Sequence, residues 1–327
     1  MKKINWAILG TGVVANEMAV ALTNAGKEIY AVGNRTYKKA VDFAEKYHIK
    51  KVYEDFHEMF TDPEVDVIYI TTPHNTHIEF MREALKNGKH LLTEKSITLN
   101  SDELDEAVKL AKENHVILAE AMTIFHMPVY RKLKEIVDSG KLGRVNMITM
   151  NFGSYKEYDM NNRFFNKNLA GGSMLDIGVY AISFVRWFMS SKPTKVLSQV
   201  KYAPTGVDEQ ATILLQNDDE QMATVALTLH SKQPKRGMVS CDKGYIEIME
   251  YPRAWEAVIT YTEDGSTEKI EAGVHSEALK YEMEDMEKAI NGDTSGIFLE
   301  YTKDVMDIMT QIRREWGMYY PEEIANE

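Results

Sequence analysis

Short apolar runs and longer amphipathic segments alternate regularly through the first 120 residues. The apolar runs have the length of strands buried on both faces of a parallel sheet, and they lie at 4–9, 28–33, 51–53, 67–70, 89–92 and 116–119. The amphipathic segments repeat their apolar positions with helical spacing, and they lie at 13–22, 37–47, 55–60, 76–86 and 101–114. Strand–helix alternation of this kind predicts an α/β fold with a doubly wound parallel sheet over residues 1–120.

The pattern changes after Glu120, where long alternating runs replace the strand–helix order. Strands are predicted at 144–155, 195–202, 209–216, 221–230, 236–240, 244–249, 256–261 and 267–271. Helices are predicted at 128–139, 171–189, 276–291 and 301–317. We therefore expect residues 121–327 to form an α+β domain for substrate binding and oligomerisation. It would be built on an open, mostly antiparallel sheet, and its last helices can return to the first domain.

Composition narrows the classes of protein to which the chain can belong. Its 327 residues favour two domains, and its net charge of −12 argues against nucleic acid and anionic membranes as partners. The single cysteine, Cys241, fits a reducing cytoplasm. The N-terminal apolar run stops at Gly10 and has no small-residue cleavage site, so we expect no signal peptide. We also find no apolar run near the roughly 20 residues needed to span a membrane, so we expect no membrane span.

A glycine-rich turn follows the first predicted strand and precedes the first predicted helix. It matches the dinucleotide-binding pattern G-x-G-x-x-G/A and reads Gly10-Thr11-Gly12-Val13-Val14-Ala15. The first glycine permits a tight turn, and the second lets the main chain approach a pyrophosphate at the start of the helix. The alternative is a purely structural glycine turn. The strand–helix context favours nucleotide binding, so we predict a Rossmann domain.

The end of the second predicted strand bears on the choice of cofactor. An Asp or Glu there would accept hydrogen bonds from the ribose 2′-hydroxyl of NAD. This chain has Asn34 followed by Arg35, which suits the 2′-phosphate of NADP. The alternative is a solvated surface arginine. We predict NADP as the preferred cofactor, or else NAD.

Further polar residues follow the later strands, at the sheet edge where ligands bind. The predicted cofactor-binding residues are Gly10, Thr11, Gly12, Val13, Val14, Asn34, Arg35, Thr72, Pro73, His74, Glu94 and Lys95. Asp176 and Tyr180 are spaced to share one face of a helix, a pair that in isolation is usually an ordinary contact. His74 and His77 have no companions at metal-ligand spacing, so no metal is predicted.

Three stretches of the chain resemble the Gfo/Idh/MocA oxidoreductase family, and the resemblance extends over essentially its whole length. They are Gly10–Ala15, Thr93-Glu94-Lys95-Ser96 and Leu169-Ala170-Gly171-Gly172-Ser173-Met174-Leu175-Asp176-Ile177-Gly178-Val179-Tyr180. The last is the most specific. Within the family, the pattern around Tyr180 looks closest to the branch of dimeric dihydrodiol dehydrogenase and NADP xylose dehydrogenase.

This resemblance implies hydride transfer between a nicotinamide cofactor and a small sugar-, polyol- or diol-like alcohol or carbonyl compound. It implies catalytic roles for Lys95, Tyr180, Asp176 and His77, with either Tyr180 or Lys95 transferring the proton. Ser96 stands in place of the family's usual proline. Thr123 and Phe125 stand where that branch has Trp and Arg, in a loop expected to face the substrate.

A rival reading is a non-catalytic NAD(P)-binding regulatory protein of the same fold. Such a sensor has no need of Lys95, Asp176 and Tyr180 together, so an enzyme is favoured. We also expect a homo-oligomer, a dimer or a dimer of dimers. Its contact would be the sheet of the second domain, because one sheet face packs on the helix at 171–189 and the other is left with apolar surface.

Overall fold

The computed structural model describes residues 3–324. The strands are β1 Trp6–Leu9, β2 Ile29–Gly33, β3 Lys51–Val52, β4 Val67–Ile70, β5 His90–Glu94, β6 Leu118–Ala121, β7 Val145–Gly153, β8 Lys195–Tyr202, β9 Asp208–Gln216, β10 Met222–Thr228, β11 Arg236–Cys241, β12 Gly244–Met249, β13 Glu256–Tyr261 and β14 Thr267–Glu271. The α-helices are α1 Val13–Asn24, α2 Tyr37–Tyr47, α3 Glu58–Thr61, α4 His77–Lys86, α5 Ser101–Glu113, α6 Thr123–His126, α7 Pro128–Asp138, α8 Val179–Phe188, α9 Ala278–Ile290, α10 Leu299–Glu315 and α11 Pro321–Ile324.

The chain divides into two compact units. The first runs to Met122 and also contains Ser276–Leu299, and the second contains Thr123–His275 and the chain from Glu300 onward. Residues 1–2 and 325–327, at the ends of the two predicted domains, lie outside the described residues. The assignment of a cofactor-binding and a substrate-binding role to the two domains stays a prediction.

The first unit is built on a six-stranded parallel sheet with the order β3-β2-β1-β4-β5-β6. The strand order reverses between β1 and β4, and such a switch point is where doubly wound sheets bind ligands. Strand β1 has no exposed residue, as its uninterrupted apolar sequence predicts. Helix α9 is also part of this unit. Its residue Glu287 accepts a hydrogen bond from Trp6 Nε1 at 3.0 Å and forms a salt bridge with Lys27 Nζ at 2.6 Å.

The second unit is built on an eight-stranded sheet with the order β14-β13-β12-β11-β7-β10-β9-β8. Strands β7 and β10 are parallel, and the other neighbouring strands are antiparallel. One face is buried under α8, which packs against β7 and β10, and includes Ile213, Leu215, Val225 and Leu227. The predicted fold class, a Rossmann domain followed by an α+β domain on an open sheet, is confirmed for both units.

The helix predicted over 171–189 differs from a regular α-helix in its first turn. Met174–Gly178 is a π-helix, and it continues directly into α8. Asp176 lies within this π-helix, and Tyr180 lies in the first turn of α8. The expectation that the pair shares one face stays a prediction.

One helical segment of the described chain is long and apolar enough to cross a membrane, Lys167–Phe188 with a mean hydropathy of 1.2. The segment also contains charged residues, among them Asp176 and Arg186, so it is not an uninterrupted apolar run. Of the apolar window, 78% is buried inside the protein, as in a core helix.

Candidate active site

The glycine-rich turn has the geometry that a dinucleotide requires. Gly10 has a φ of +106°, and a Cβ atom there would lie 2.4 Å from Thr71 Oγ1, so only glycine fits. A Cβ atom at Gly12 would meet nothing within 4 Å, which leaves space for a ligand to approach the main chain. Gly12 is also the N-cap of α1 and has no side chain to cap the first N–H groups. The turn therefore fits a pyrophosphate on the start of the helix.

Asn34 fixes the end of β2 against this turn. Its Nδ2 donates to Thr11 Oγ1 at 2.6 Å, and its Oδ1 accepts from the main-chain N–H of Thr36 at 2.8 Å. The next residue, Arg35, is exposed. A cation thus stands beside a neutral, hydrogen-bonded amide at the end of β2, the position that contacts the cofactor ribose in other dinucleotide-binding folds.

His77 connects the loop after β4 to the segment after β5. Its Nε2 lies 2.8 Å from the carbonyl oxygen of Thr72, and its Nδ1 lies 3.1 Å from that of Ser96 and 3.2 Å from that of Ile97. The ring has no exposed surface. Burial lowers the pKa of His77, and the hydrogen bonds to the three carbonyls oppose this shift. With both nitrogens against main-chain oxygens, this geometry is at odds with the predicted catalytic contact of His77 with substrate.

Lys95 directly follows β5, in a segment whose main-chain carbonyl oxygens contact His74 and His77. The carbonyl oxygen of Lys95 is 3.0 Å from His74 Nε2, and the Lys95–Ser96 peptide bond is cis although Ser96 replaces the family's proline. Lys95 is half-buried, and its neighbour Glu94 accepts a hydrogen bond from the hydroxyl of Tyr69. The predicted residues Thr72, His74, Glu94 and Lys95 thus border one end of the parallel sheet.

Asp176 and Tyr180 lie in the second unit, at the start of the long buried helix. Asp176 is 9% exposed, and its Oδ1 lies 3.6 Å from the guanidinium of Arg163, which is itself exposed. Tyr180 is half-buried, and its ring centroid is 6.2 Å from that of Phe152. Tyr251 is close enough that Tyr180 contributes to raising the pKa of Tyr251, after burial and Tyr130.

The turn that carries these residues is held by two side chains that sequence reasoning missed. Asp208 Oδ2 accepts hydrogen bonds from Ser173 Oγ at 2.7 Å and from the Met174 N–H at 2.6 Å. Tyr320 Oη donates to the carbonyl oxygen of Gly171 at 2.7 Å. Asp208 and Tyr320 are far from the turn in sequence, and no motif includes either residue.

Thr123 and Phe125 do not form a substrate-facing loop. Phe125 is 1% exposed and stacks on Trp187 at a centroid distance of 5.6 Å, while the hydroxyl of Thr123 donates to the carbonyl oxygen of Pro252. The expectation that they face the substrate is therefore wrong. These residues fill the core of the second unit.

No group of three or more His, Cys, Asp or Glu residues within 3–324 is arranged to hold a metal ion. The two histidines singled out as possible ligands, His74 and His77, lie with their ring centroids 5.8 Å apart and direct ring nitrogens at main-chain carbonyls.

The fold and the nucleotide-binding turn define an NAD(P)-dependent oxidoreductase. Residues 4–122 match the model of the oxidoreductase family with an NAD-binding Rossmann fold, and residues 130–247 match the Gfo/Idh/MocA C-terminal domain. The chain belongs to the Gfo/Idh/MocA oxidoreductase family, which confirms the predicted membership.

Relatives of known activity cover most or all of the chain. It is 31% identical over 247 residues to trans-1,2-dihydrobenzene-1,2-diol dehydrogenase of Xenopus tropicalis, covering 74% of each chain. It is 25% identical over 334 residues to the Danio rerio enzyme of the same name, covering 98% of this chain and 99% of that one. These relatives are consistent with the predicted dihydrodiol dehydrogenase branch.

Solved structures share the fold. Levoglucosan dehydrogenase in complex with NADH and levoglucosan superimposes with a TM-score of 0.86 at 17% identity, covering 97% of this chain and 98% of that chain. A 3-ketoreductase from Actinomadura kijaniata in complex with NADP and TDP-benzene superimposes with a TM-score of 0.84 at 19% identity, covering 98% and 100%.

Proposed function

We propose that this oxidoreductase transfers a hydride between NADP and a small vicinal diol or sugar-like alcohol, or the corresponding carbonyl compound. The observation that carries the proposal is the 31% identity to a trans-dihydrodiol dehydrogenase over 74% of the chain. The chain also keeps the ionisable set Lys95, Asp176 and Tyr180. The nicotinamide supplies or accepts the hydride, so the protein must supply the proton transfer at the substrate oxygen.

Lys95 and Tyr180 are the proposed groups at that oxygen. The phenol of Tyr180 transfers the proton, while the ammonium of Lys95 favours the ionised form of that phenol and orients the substrate hydroxyl. The alternative is direct proton transfer by Lys95. Asp176 orders the surrounding hydrogen bonds, and its neighbour Arg163 supports a carboxylate there. For His77 we propose a positioning role, because its ring holds the carbonyl oxygens of Thr72 and Ser96.

The proposed preference for NADP rests on Asn34 and Arg35. The fixed amide of Asn34 offers no charge to the ribose, while Arg35 offers an exposed guanidinium to a 2′-phosphate. The glycine-rich turn serves NADP and NAD equally, so it does not set the preference.

A substrate panel tests this function. trans-Dihydrodiols, aldoses and polyols are incubated with NADP and with NAD, and formation of the reduced nicotinamide is followed by its absorbance. We expect turnover with at least one vicinal diol or sugar, and faster turnover with NADP. Tight cofactor binding without turnover on any member would instead fit the regulatory alternative.

We propose that the protein is a homodimer that pairs through the open face of the eight-stranded sheet, with a cytoplasmic location that fits the single cysteine. Cross-strand pairing places Leu197 opposite Leu214 and Met222 opposite Met147, all on the face turned away from α8. Leu197 is 70% exposed, and the other three are each more than 40% exposed. Identical faces that meet about a two-fold axis are the commonest way to cover such apolar surface.

A further inference from the structure

The turn before the π-helix is tightly constrained by its surroundings. Gly172 has a φ of +127°, and a Cβ atom there would lie 2.2 Å from Asp208 Oδ1. A Cβ atom at Gly171 would lie 2.7 Å from the carbonyl oxygen of Arg163. The main chain therefore passes so close to its neighbours that only glycines fit at these two positions.

Asp208 is the polar side chain at the centre of this contact. It is completely buried, and a single oxygen, Oδ2, accepts from both Ser173 Oγ and the Met174 N–H. The first N–H groups of a helix have no acceptor within the helix itself. Asp208 supplies that acceptor from β9, far along the chain, and so fixes where the helix begins.

The surroundings of Asp208 also come from the C-terminal part of the second unit. Arg313 lies with its guanidinium 4.8 Å from the ring centroid of Tyr320, whose hydroxyl holds the carbonyl oxygen of Gly171. Burial raises the pKa of Asp208 to about 6, while the hydrogen bonds that it accepts and the charge of Arg313 oppose the shift. Arg313 itself pairs with Glu323 at 2.8 Å.

We propose that Asp208 is a positioning residue for the hydride-transfer reaction, which acts by holding the Gly171–Met174 turn so that Asp176 and Tyr180 stand in their reactive places. This inference rests on the proposed function of Tyr180. Asp176 lies in the first turn after Met174, and Tyr180 follows in the same continuous helix. A shift at Met174 therefore moves both residues. Displacement of a reacting group by about 1 Å can cost about 100-fold in rate.

Two substitutions at Asp208 separate positioning from charge. Asp208→Asn retains an oxygen that can accept from both Ser173 and Met174, whereas Asp208→Ala removes it. We expect Asp208→Ala to lower kcat about 10- to 100-fold with cofactor affinity within about threefold, and Asp208→Asn to restore most of kcat. Gln221→Ala is the matched control: Gln221 is also buried and hydrogen-bonded, to Asn217, Ser190 and Val145, but does not touch the turn.

Hydrogen–deuterium exchange of peptides over 171–188 provides a readout that does not depend on turnover. We expect faster exchange in Asp208→Ala than in wild type, and wild-type exchange in Gln221→Ala. If Asp208→Ala does not fold, Ser173→Ala removes one of the two donors and should give the same change with smaller size. Wild-type kcat or wild-type exchange in a folded Asp208→Ala, or an equal loss of kcat in Gln221→Ala, would overturn the proposal. Absence of turnover by the wild-type protein would count against the proposed function alone, since the exchange comparison still tests the positioning of the turn.

Discussion

Replacement of Arg35 by alanine should weaken the binding of NADP far more than that of NAD. Arg35 is exposed and follows Asn34, whose side chain is already committed to Thr11 and Thr36. We therefore expect the amide to contribute equally to the binding of both cofactors. In the proposed site, the guanidinium of Arg35 is the charge that distinguishes a 2′-phosphate from a 2′-hydroxyl.

The size of the effect follows from charge and exposure. A guanidinium about 4 Å from a unit charge in water gains about 1 kcal/mol, and a phosphate carries about 1.5 to 2 negative charges near neutral pH. The gain is therefore about 2 kcal/mol, within the range of about 1.5–3 kcal/mol for charged hydrogen bonds. A loss of that size corresponds to about 30-fold in the dissociation constant. Because Arg35 is exposed, the effect should shrink at high salt.

Fluorescence titration of the wild-type and variant proteins with NADPH and NADH measures both constants. Lys39→Ala is the matched control, since it removes the same charge from an exposed position in α2. Asn34→Asp is the converse variant, because a carboxylate can keep the contacts of Asn34 with Thr11 and Thr36 while it repels the phosphate. Equal weakening of NADPH and NADH by Arg35→Ala, or an equal effect of Lys39→Ala, would refute the reasoning.

Three further predictions concern catalysis, assembly and pH. Tyr180→Phe keeps the aromatic ring beside Phe152 and should lower kcat about 100- to 10,000-fold with cofactor affinity unchanged. Lys95→Met should lower kcat at least as much. Near-full turnover by Tyr180→Phe would leave Lys95 as the proton donor. Light scattering should give twice the 37.4 kDa mass of one chain. Leu197→Glu should yield monomers, whereas the control Val13→Glu, at an exposed position of α1, should not. A wild-type mass of one chain would contradict the dimer. Burial raises the pKa of Asp208 from 3.8 to about 6, so the stability from its protonated form is present below about pH 4 and is lost as the pH rises through 6. Urea unfolding at several pH values measures the difference in the free energy of unfolding between Asp208→Asn and wild type. We expect this difference to rise in favour of the variant by about 3 kcal/mol between about pH 4 and 7. A difference that is constant with pH would show that Asp208 does not titrate in this range.

The spacing of apolar residues and the positions of turn-forming residues were sufficient to predict most of the fold. The apolar run of β4 and the alternation in β12 define strands whose bounds coincide with the prediction, Val67–Ile70 and Gly244–Met249. Both signals are local, since a buried strand must be apolar and a half-buried strand must alternate. The turn after β1 was also predictable, because its positive φ requires a glycine and the sequence has Gly10 at that position.

What was not predictable depends on contacts between distant segments. Asp208 holds the π-turn at Met174–Gly178. The register between β8 and β9 shifts at this point, since Lys201 pairs with Gln210 but Tyr202 pairs with Asp208. Both Asp208 and Glu209 are buried there, although they are neighbours in one strand. Strict alternation along one strand cannot foresee such a shift. His77 shows the same limit: the family resemblance implied a catalytic role for it, but a sequence pattern does not locate the main-chain carbonyls that its ring nitrogens contact.

The central claim is that this chain moves a hydride, and isotope transfer tests it most directly. A diol or sugar alcohol deuterated at the reacting carbon is incubated with oxidised NADP and the wild-type protein, and the reduced cofactor is analysed by mass spectrometry. We predict that deuterium appears in the reduced cofactor, and that Lys95→Met, which keeps the glycine-rich turn intact, binds NADP but transfers almost none. Binding of NADP by the wild-type protein with no deuterium transferred from any vicinal diol, aldose or polyol would contradict the account.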